Sequence, residues 1–244
     1  MTSEENLGEG LILRSVRDER DVARYRAMVR ALWGEATAWT AECLLCRYPE
    51  TRYDDFQFVE DRATGEVVST TCLIPWRCTF VGVPLKVAML EMVGTLPPYR
   101  KRGLIRAQVN RFHRRVAECG YDLSIIQGIP YYYRQYGYGY ALDLHAVETL
   151  PIQRIPEGDP GPYRLRAAMP GDVPLLTRLH ERALAPVLFH DLRDEAHWHY
   201  LLQWARCDVR IVEDARTGEA LGYIDVAPLE HGGGLRIAES GLAG

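Results

Sequence analysis

The chain has 244 residues, 47% hydrophobic and 25% charged, a balance that suits a folded protein and excludes intrinsic disorder. With 29 Lys and Arg against 33 Asp and Glu, the net charge of −4 argues against coating nucleic acid by bulk charge. No run reaches the roughly 18 apolar residues of a membrane-spanning helix, and the acidic start MTSEENLGEG is unlike a signal peptide, so the expectation is a cytoplasmic protein with its six cysteines reduced.

In chain order, LILRSV (11–16) predicts a strand. Asp18 or Asp21 then caps a helix over about 20–33, with Val22, Tyr25, Met28, Val29 and Leu32 at helical spacing. A second helical stretch follows over about 37–47; it contains Cys43-x-x-Cys46, which reads as helix packing because no second pair stands at zinc-site spacing. FQFVED (56–61) and EVVSTTCLI (66–74) are strands joined by a turn at Gly65, and CTFVGVP and KVAMLEMVGT add further strands. Residues 102–119 predict a helix, YDLSIIQGI (121–129) a strand, YYYRQYGYG (131–139) a short helix and turn, and LDLHAVETL a tail strand. His113, mid-helix among arginines, reads as a surface residue. This order implies an α/β (mixed α+β) fold, a mixed sheet with helices on both faces.

The chain also repeats itself. LRSVRDERDV (13–22) is echoed by LRAAMPGDV (165–173), and VEDRATGE (59–66) by VEDARTGE (212–219). The separations agree, 45 positions from Arg14 to Val59 and 46 from Arg166 to Val212. LRIAE (235–239) echoes LKVAM (85–89) near the end of the chain. The expectation is a first domain at 1–150, a Pro- and Gly-rich linker at 151–162, and a partial second copy at 163–244 that stops before any counterpart of the segment described next. The His197-x-His199 pair in that copy has no third ligand nearby, and no metal is expected.

That segment is EMVGTLPPYRKRGLIRAQVNRFHRR. A strand ending in Val93, Gly94 and Thr95 enters a Pro-Pro turn; Arg100, Lys101, Arg102 and Gly103 follow, and a helix starts at once. Cations at a helix N-terminus oppose its dipole by about 0.3–1 kcal/mol each. A bound phosphate or pyrophosphate removes the conflict, because free backbone N–H groups, the dipole and the basic side chains all favour an anion there. Gly103 allows close backbone approach.

YRKRGL after a strand and a proline turn resembles the acyl-CoA pyrophosphate loop of the GCN5-related N-acetyltransferases, whose pattern Gln/Arg-x-x-Gly-x-Gly/Ala is met here by Arg100 to Leu104, with Ile105 departing at the last position. YYRQYGYG (132–139) resembles the family's Tyr-x-x-x-Gly-Phe signature. RKRGLIRA together with IPYYYRQYGYGYA is similar to the enhanced-intracellular-survival type of these enzymes, which carry two such domains in tandem and then a third. The resemblance implies that acetyl-CoA enters between two strands splayed at Val93–Thr95 and Ile126–Ile129. The N–H groups of Val93 and Thr95 would hold the pantetheine, and the amides of Lys101 to Arg106 the pyrophosphate. It implies Tyr133 as the acid that protonates the leaving thiolate, with Tyr132 and Tyr136 as rivals in the tyrosine run. Glu91 is the best-placed carboxylate for a base, and Trp33, Trp39 and Tyr48 would line a pocket for a small-molecule or lysine-like amine. The implied partners are that amine, with no nucleic acid and no membrane, and the reading is compatible with a homo-oligomer.

Overall fold

The structure, a computed structural model, describes residues 4–142, 158, 161–228 and 235–242. The chain divides into two compact units, Met1–Tyr138 with Leu188–Leu192, and Gly139–Val187 with Arg193–Gly244. Most of the expected linker and nearly all of the expected tail strand LDLHAVETL lie outside the described residues.

Unit 1 is built on one mixed sheet. Its elements are β1 (Glu5–Gly8), β2 (Leu11–Ser15), α1 (Glu19–Cys46), β3 (Phe56–Asp61), β4 (Glu66–Phe80), β5 (Val83–Thr95), α2 (Leu104–Glu118) and β6 (Leu123–Ile125), with strands ordered β1-β2-β3-β4-β5-β6. All pairings along that path are antiparallel except β5 with β6. The two helical stretches expected over 20–47 are both present and run into each other across a kink, together labelled α1. Asp18 caps it by accepting from the Asp21 amide at 2.8 Å, and Gly34, at φ 85° and ψ 179°, breaks it in the middle. An L-residue is strained at that φ, so the bend is set by glycine. The face of α1 carrying Val22, Tyr25, Met28 and Val29 is buried with Phe56, Phe58, Cys72 and Ile74. On the other side of the sheet Val109 and Phe112 of α2 pack with Leu73, Ala88 and Leu90.

Several expectations are corrected. CTFVGVP is not a separate strand: β4 runs on to Phe80, and Val81 and Gly82, both at positive φ, turn the chain directly into β5. The β1 strand was not anticipated, because its four residues are too short to show a period. The strand expected over 121–129 shrinks to Leu123–Ile125; among the described residues it pairs with β5 alone, and that pairing ends at Met89 with Ile125. The helix expected from 102 starts at Leu104, because Lys101 and Gly103 both adopt left-handed backbone.

Unit 2 contains β7 (Tyr163–Ala167), α3 (Val173–Leu184), α4 (Glu195–Gln203), β9 (Asp208–Asp214), β10 (Ala220–Pro228) and β11 (Leu235–Leu242), with strands ordered β11-β10-β9-β7. Between α3 and α4 in sequence, β8 (Phe189–Asp191) belongs to unit 1 and pairs antiparallel with the far end of β4, Cys78–Phe80. The core of unit 2 packs Leu176, Leu179, Trp198, Ile211 and Tyr223 together.

The same ion network recurs in each unit. Arg14 makes a bidentate pair with Asp21 (2.5 and 2.8 Å), reaches Glu60 at 2.9 Å, and donates to the carbonyl of the next residue at 3.2 Å. Arg166 makes a bidentate pair with Asp172 (2.7 and 2.8 Å), reaches Glu213 at 2.6 Å, and donates to the next carbonyl at 3.2 Å. These are the residues that the two sequence echoes have in common.

A second network fixes β11 within unit 2. Glu239 accepts two hydrogen bonds from Arg193 (2.8 and 2.6 Å) and one from the Tyr223 hydroxyl (2.6 Å), and His180 Nδ1 lies 3.6 Å away. Burial alone would raise this carboxyl, but its hydrogen bonds with His180 and Arg193 outweigh it and hold the pKa down to about 2. A carboxylate depressed in the folded state stabilises that state above its ordinary pKa, and the contribution is lost as pH falls toward the folded value. Unit 2 of the wild type is therefore expected to lose stability between the usual glutamate range and about pH 2 more steeply than a Glu239→Gln variant. Urea unfolding followed by tryptophan fluorescence across that range checks this; parallel curves would contradict it.

Candidate functional site

The site starts from an irregularity in β5. Thr70 of β4 pairs with Gly94, but Cys72 pairs with Glu91, so β5 carries one more residue than β4 over this stretch. The extra residue forms a bulge with Met92 in left-handed backbone at φ 53°. Hydroxyls on β4 hold it: Thr70 Oγ1 donates to the Met92 carbonyl at 3.0 Å, and Ser69 Oγ donates to the Gly94 carbonyl at 2.9 Å. Ser69 Oγ also lies 2.8 Å from Thr95 Oγ1 and accepts from the fully buried Gln108 amide at 2.5 Å, which ties the bulge to α2. Beyond Met89 the parallel partner β6 has ended, so the bulged end of β5 stands away from the segment 126–129.

The turn after β5 carries the basic loop. Lys101 (φ 63°) and Gly103 (φ 76°) are left-handed, and Gly103 is the N-cap of α2. No side chain caps this helix and no acidic residue stands in its first turn. Its amides therefore point to the loop side with the positive end of the dipole behind them. The arginines have partners of their own: Arg100 Nε donates to the Thr95 carbonyl at 3.2 Å, Arg102 pairs with Glu9 at 3.4 Å over the Tyr99 ring, and Arg106 donates to Gln135 at 2.9 Å over the Tyr136 ring.

These parts open onto one cleft of about 680 Å³, lined by Val93, Gly94 and Thr95, by the loop and first turn of α2, by Tyr132, Tyr133 and Tyr136, and by Leu32 and Trp33. Arg100, Lys101, Gly103, Leu104, Ile105 and Arg106 all line it, whereas Arg102 turns to Glu9. Tyr133 belongs to a short 3-10 helix, Tyr132–Tyr136, stopped by Gly137 at φ 91°. Its ring is 9% exposed among Leu90, Val109 and Phe112, and burial, followed by the neighbouring Tyr132 and Glu91, pushes its pKa up to about 12. Its hydroxyl has no hydrogen-bond partner among the described residues. The rivals differ: Tyr136, also pushed to about 12 by burial, shares a hydrogen bond with Tyr132, and Tyr132 is 37% exposed.

Sequence reasoning missed the residues that position Tyr133. A Cβ on Gly128 would lie closer than 3.0 Å to the Tyr133 ring, so that glycine is the surface on which the ring rests. Tyr138 packs edge-on against Tyr133 at 6.2 Å, its hydroxyl 2.6 Å from Ser124 Oγ and 3.3 Å from His113 Nε2. His113 is thus half-buried, and burial lowers its pKa. The only available signal was the tyrosine run itself.

Glu91 is half-buried at the foot of the bulge, opposite Cys72 on the α1 face, and burial raises its carboxyl. It does not line the cleft described above. Of the three aromatics expected around an acceptor, Trp33 lines the cleft, while Trp39 and Tyr48 do not. Tyr48 packs on the α1 core and donates its hydroxyl to the Pro75 carbonyl at 3.1 Å.

Residues 25–141 match the family model of the acetyltransferase (GNAT) domain. The N-acetyltransferase Eis of Mycobacterium tuberculosis (strain CDC 1551 / Oshkosh) is 39% identical over 86 residues, 33% of this chain and 21% of that protein. The Eis of Mycobacterium bovis (strain ATCC BAA-935 / AF2122/97) is 38% identical over the same length. The match thus spans about a fifth of the length of these curated relatives. Among solved structures, a conserved protein of unknown function from Enterococcus faecalis V583, a probable N-acyltransferase, superposes with a TM-score of 0.67 at 18% identity, covering 99% of this chain and 59% of that one. Saccharomyces cerevisiae N-myristoyltransferase with bound myristoyl-CoA gives 0.66 at 12% identity, covering 92% and 61%. At these identities the two structures speak for the fold, a GNAT fold. Residues 25–141 of the chain are thus identified as similar to a GNAT acetyltransferase domain, on a fold shared with N-acyltransferases of known structure.

Proposed function

We propose that unit 1 is an acyl-CoA-dependent N-acyltransferase that moves an acetyl group from acetyl-CoA to the primary amine of a small molecule or a lysine-like acceptor. The observation that carries this reading is a coincidence in space. An uncapped helix N-terminus with basic residues around it and a buried tyrosine with a free hydroxyl open onto the same cleft, along a bulged strand. The loop amides suit a pyrophosphate. The Val93–Thr95 stretch suits the pantetheine and the thioester, where a correctly aimed N–H donor typically contributes about 3–4 kcal/mol to a developing oxyanion.

In the reaction the neutral amine attacks the thioester carbonyl, the C–N bond forms, and the C–S bond breaks. The amine gives up a proton to Glu91, directly or through water. Tyr133 donates a hydrogen bond to the departing thiolate, which then takes its proton from solvent. With a pKa of about 12, Tyr133 is protonated at neutral pH. Full transfer to a thiolate of pKa about 8.5 is uphill, so its contribution is a hydrogen bond that strengthens as charge develops on sulfur.

Unit 2 is read as a non-catalytic partial copy of the same fold. Glu239 pairs with Asp225 across β10 and β11 much as Glu91 pairs with Cys72, but it is committed to Arg193 and Tyr223. The helices α3 and α4 start after aspartates, Asp172 and Asp194, and not after a basic loop and glycine as α2 does, so one coenzyme A per chain is expected. A second reading, an acyl-CoA-binding module without turnover, draws on the position of Glu91 away from the cleft lining. Turnover separates the two.

Tyr133→Phe is expected to lower kcat by about 100-fold, the usual scale for loss of a general acid, while the Kd of acetyl-CoA moves less than about threefold. Thiol release with an amine panel and calorimetric titration measure the two quantities; collapse of affinity instead would assign Tyr133 to binding. Glu91 works as a base only when ionised, and burial raises its carboxyl, so activity should rise with pH along a limb set by that carboxyl. Glu91→Gln should remove the limb from the kcat/KM profile, and an unchanged limb would pass the role to another group.

A further inference from the structure

Trp33 closes the first half of α1. The next residue, Gly34, has a backbone (φ 85°, ψ 179°) that breaks the helix there, and the indole lies against β5. Its resting place is Gly94, in the bulged stretch. A Cβ added at Gly94 would come closer than 3.0 Å to Cη2 and Cζ2 of Trp33 and to Cδ1 of Leu32. The two side chains therefore sit directly on the strand backbone, with nothing between. Both line the cleft, and Tyr133 lines it too.

We propose that Leu32 and Trp33 set the length of the acyl chain. They form an apolar wall at Gly94 that accepts the methyl of an acetyl group and excludes chains of four carbons or more. This rests on the acyl-CoA reading above and adds which thioesters the cleft takes. Two neighbouring glycines create the wall: Gly34 lets the helix end with the indole turned to the sheet, and Gly94 lets the indole reach the backbone. A longer acyl chain has to displace the indole, which rests on main chain on one side and is 42% exposed on the other, so it can yield only outward. One surplus methylene in such a pocket typically changes binding by about 10- to 200-fold.

The test needs no knowledge of the amine. Dissociation constants of coenzyme A, acetyl-CoA, butyryl-CoA and hexanoyl-CoA are measured by calorimetry for the full chain and for Trp33→Ala and Trp33→Leu. The ratio of hexanoyl-CoA to acetyl-CoA is read within each protein. In the wild type hexanoyl-CoA should bind at least about 10-fold more weakly than acetyl-CoA. In both variants that ratio should fall to within about threefold of unity, with Trp33→Leu serving if Trp33→Ala does not fold. Equal binding of the three thioesters and the thiol by the wild type would overturn the wall alone. So would a wild-type preference that both variants keep. Binding of none of them by the folded wild type would overturn the acyl-CoA reading itself.

Discussion

One additional residue in β5, held by hydroxyls of β4, is the constraint on which the site depends. A regular antiparallel pair would carry β5 straight on beside β4, with its side chains alternating as before. The bulge instead rotates the strand between Glu91 and Gly94, and Ser69 and Thr70 satisfy the carbonyls this leaves out of register. An unmet carbonyl in this buried setting would be costly, about 1–3 kcal/mol each. Because β6 pairs with β5 only as far as Met89, the rotated end of β5 borders open space, and that space is the cleft.

Electrostatics then fixes what suits the cleft. The N-terminus of α2 lacks an acidic residue or a side-chain cap, and three cations precede it. Arg102 and Arg106 are drawn off by Glu9 and Gln135, with Tyr99 and Tyr136 beneath them, so the loop holds its shape without the protein's own carboxylates covering the amides. At the other end of the same opening, Tyr133 is kept protonated by burial, and no hydrogen bond from another described residue takes up its hydroxyl. An anion-seeking end and a proton-donating end joined by a bulged strand are suited to a thioester of a nucleotide-containing thiol.

The local features were legible in the sequence. Gly103 beside a basic triplet marked the loop, Asp18 marked the start of α1, and the paired echoes around Arg14 and Arg166 pointed to residues that occupy matching ion networks. Tyr133 was legible only through its distance from Gly137. Features made by residues far apart were not legible. Nothing in EMVGT announces a bulge, since the cause lies in hydroxyls about 25 residues earlier. Gly94 and Gly128 look like ordinary strand glycines until Trp33 and Tyr133 are seen resting on them. Tyr48, an aromatic in the expected region, has its hydroxyl taken up by the Pro75 carbonyl, a pairing between residues 27 positions apart.

The central claim is that the start of α2 is a diphosphate site serving a thioester beside Tyr133. Calorimetric titration of the chain with acetyl-CoA and with S-acetylpantetheine, which carries the thioester but no diphosphate or nucleotide, tests it most directly. The account predicts one acetyl-CoA per chain and at least about 100-fold weaker binding of the truncated thioester, the loss expected for two charge-assisted hydrogen bonds. Equal affinity for the two ligands would contradict it.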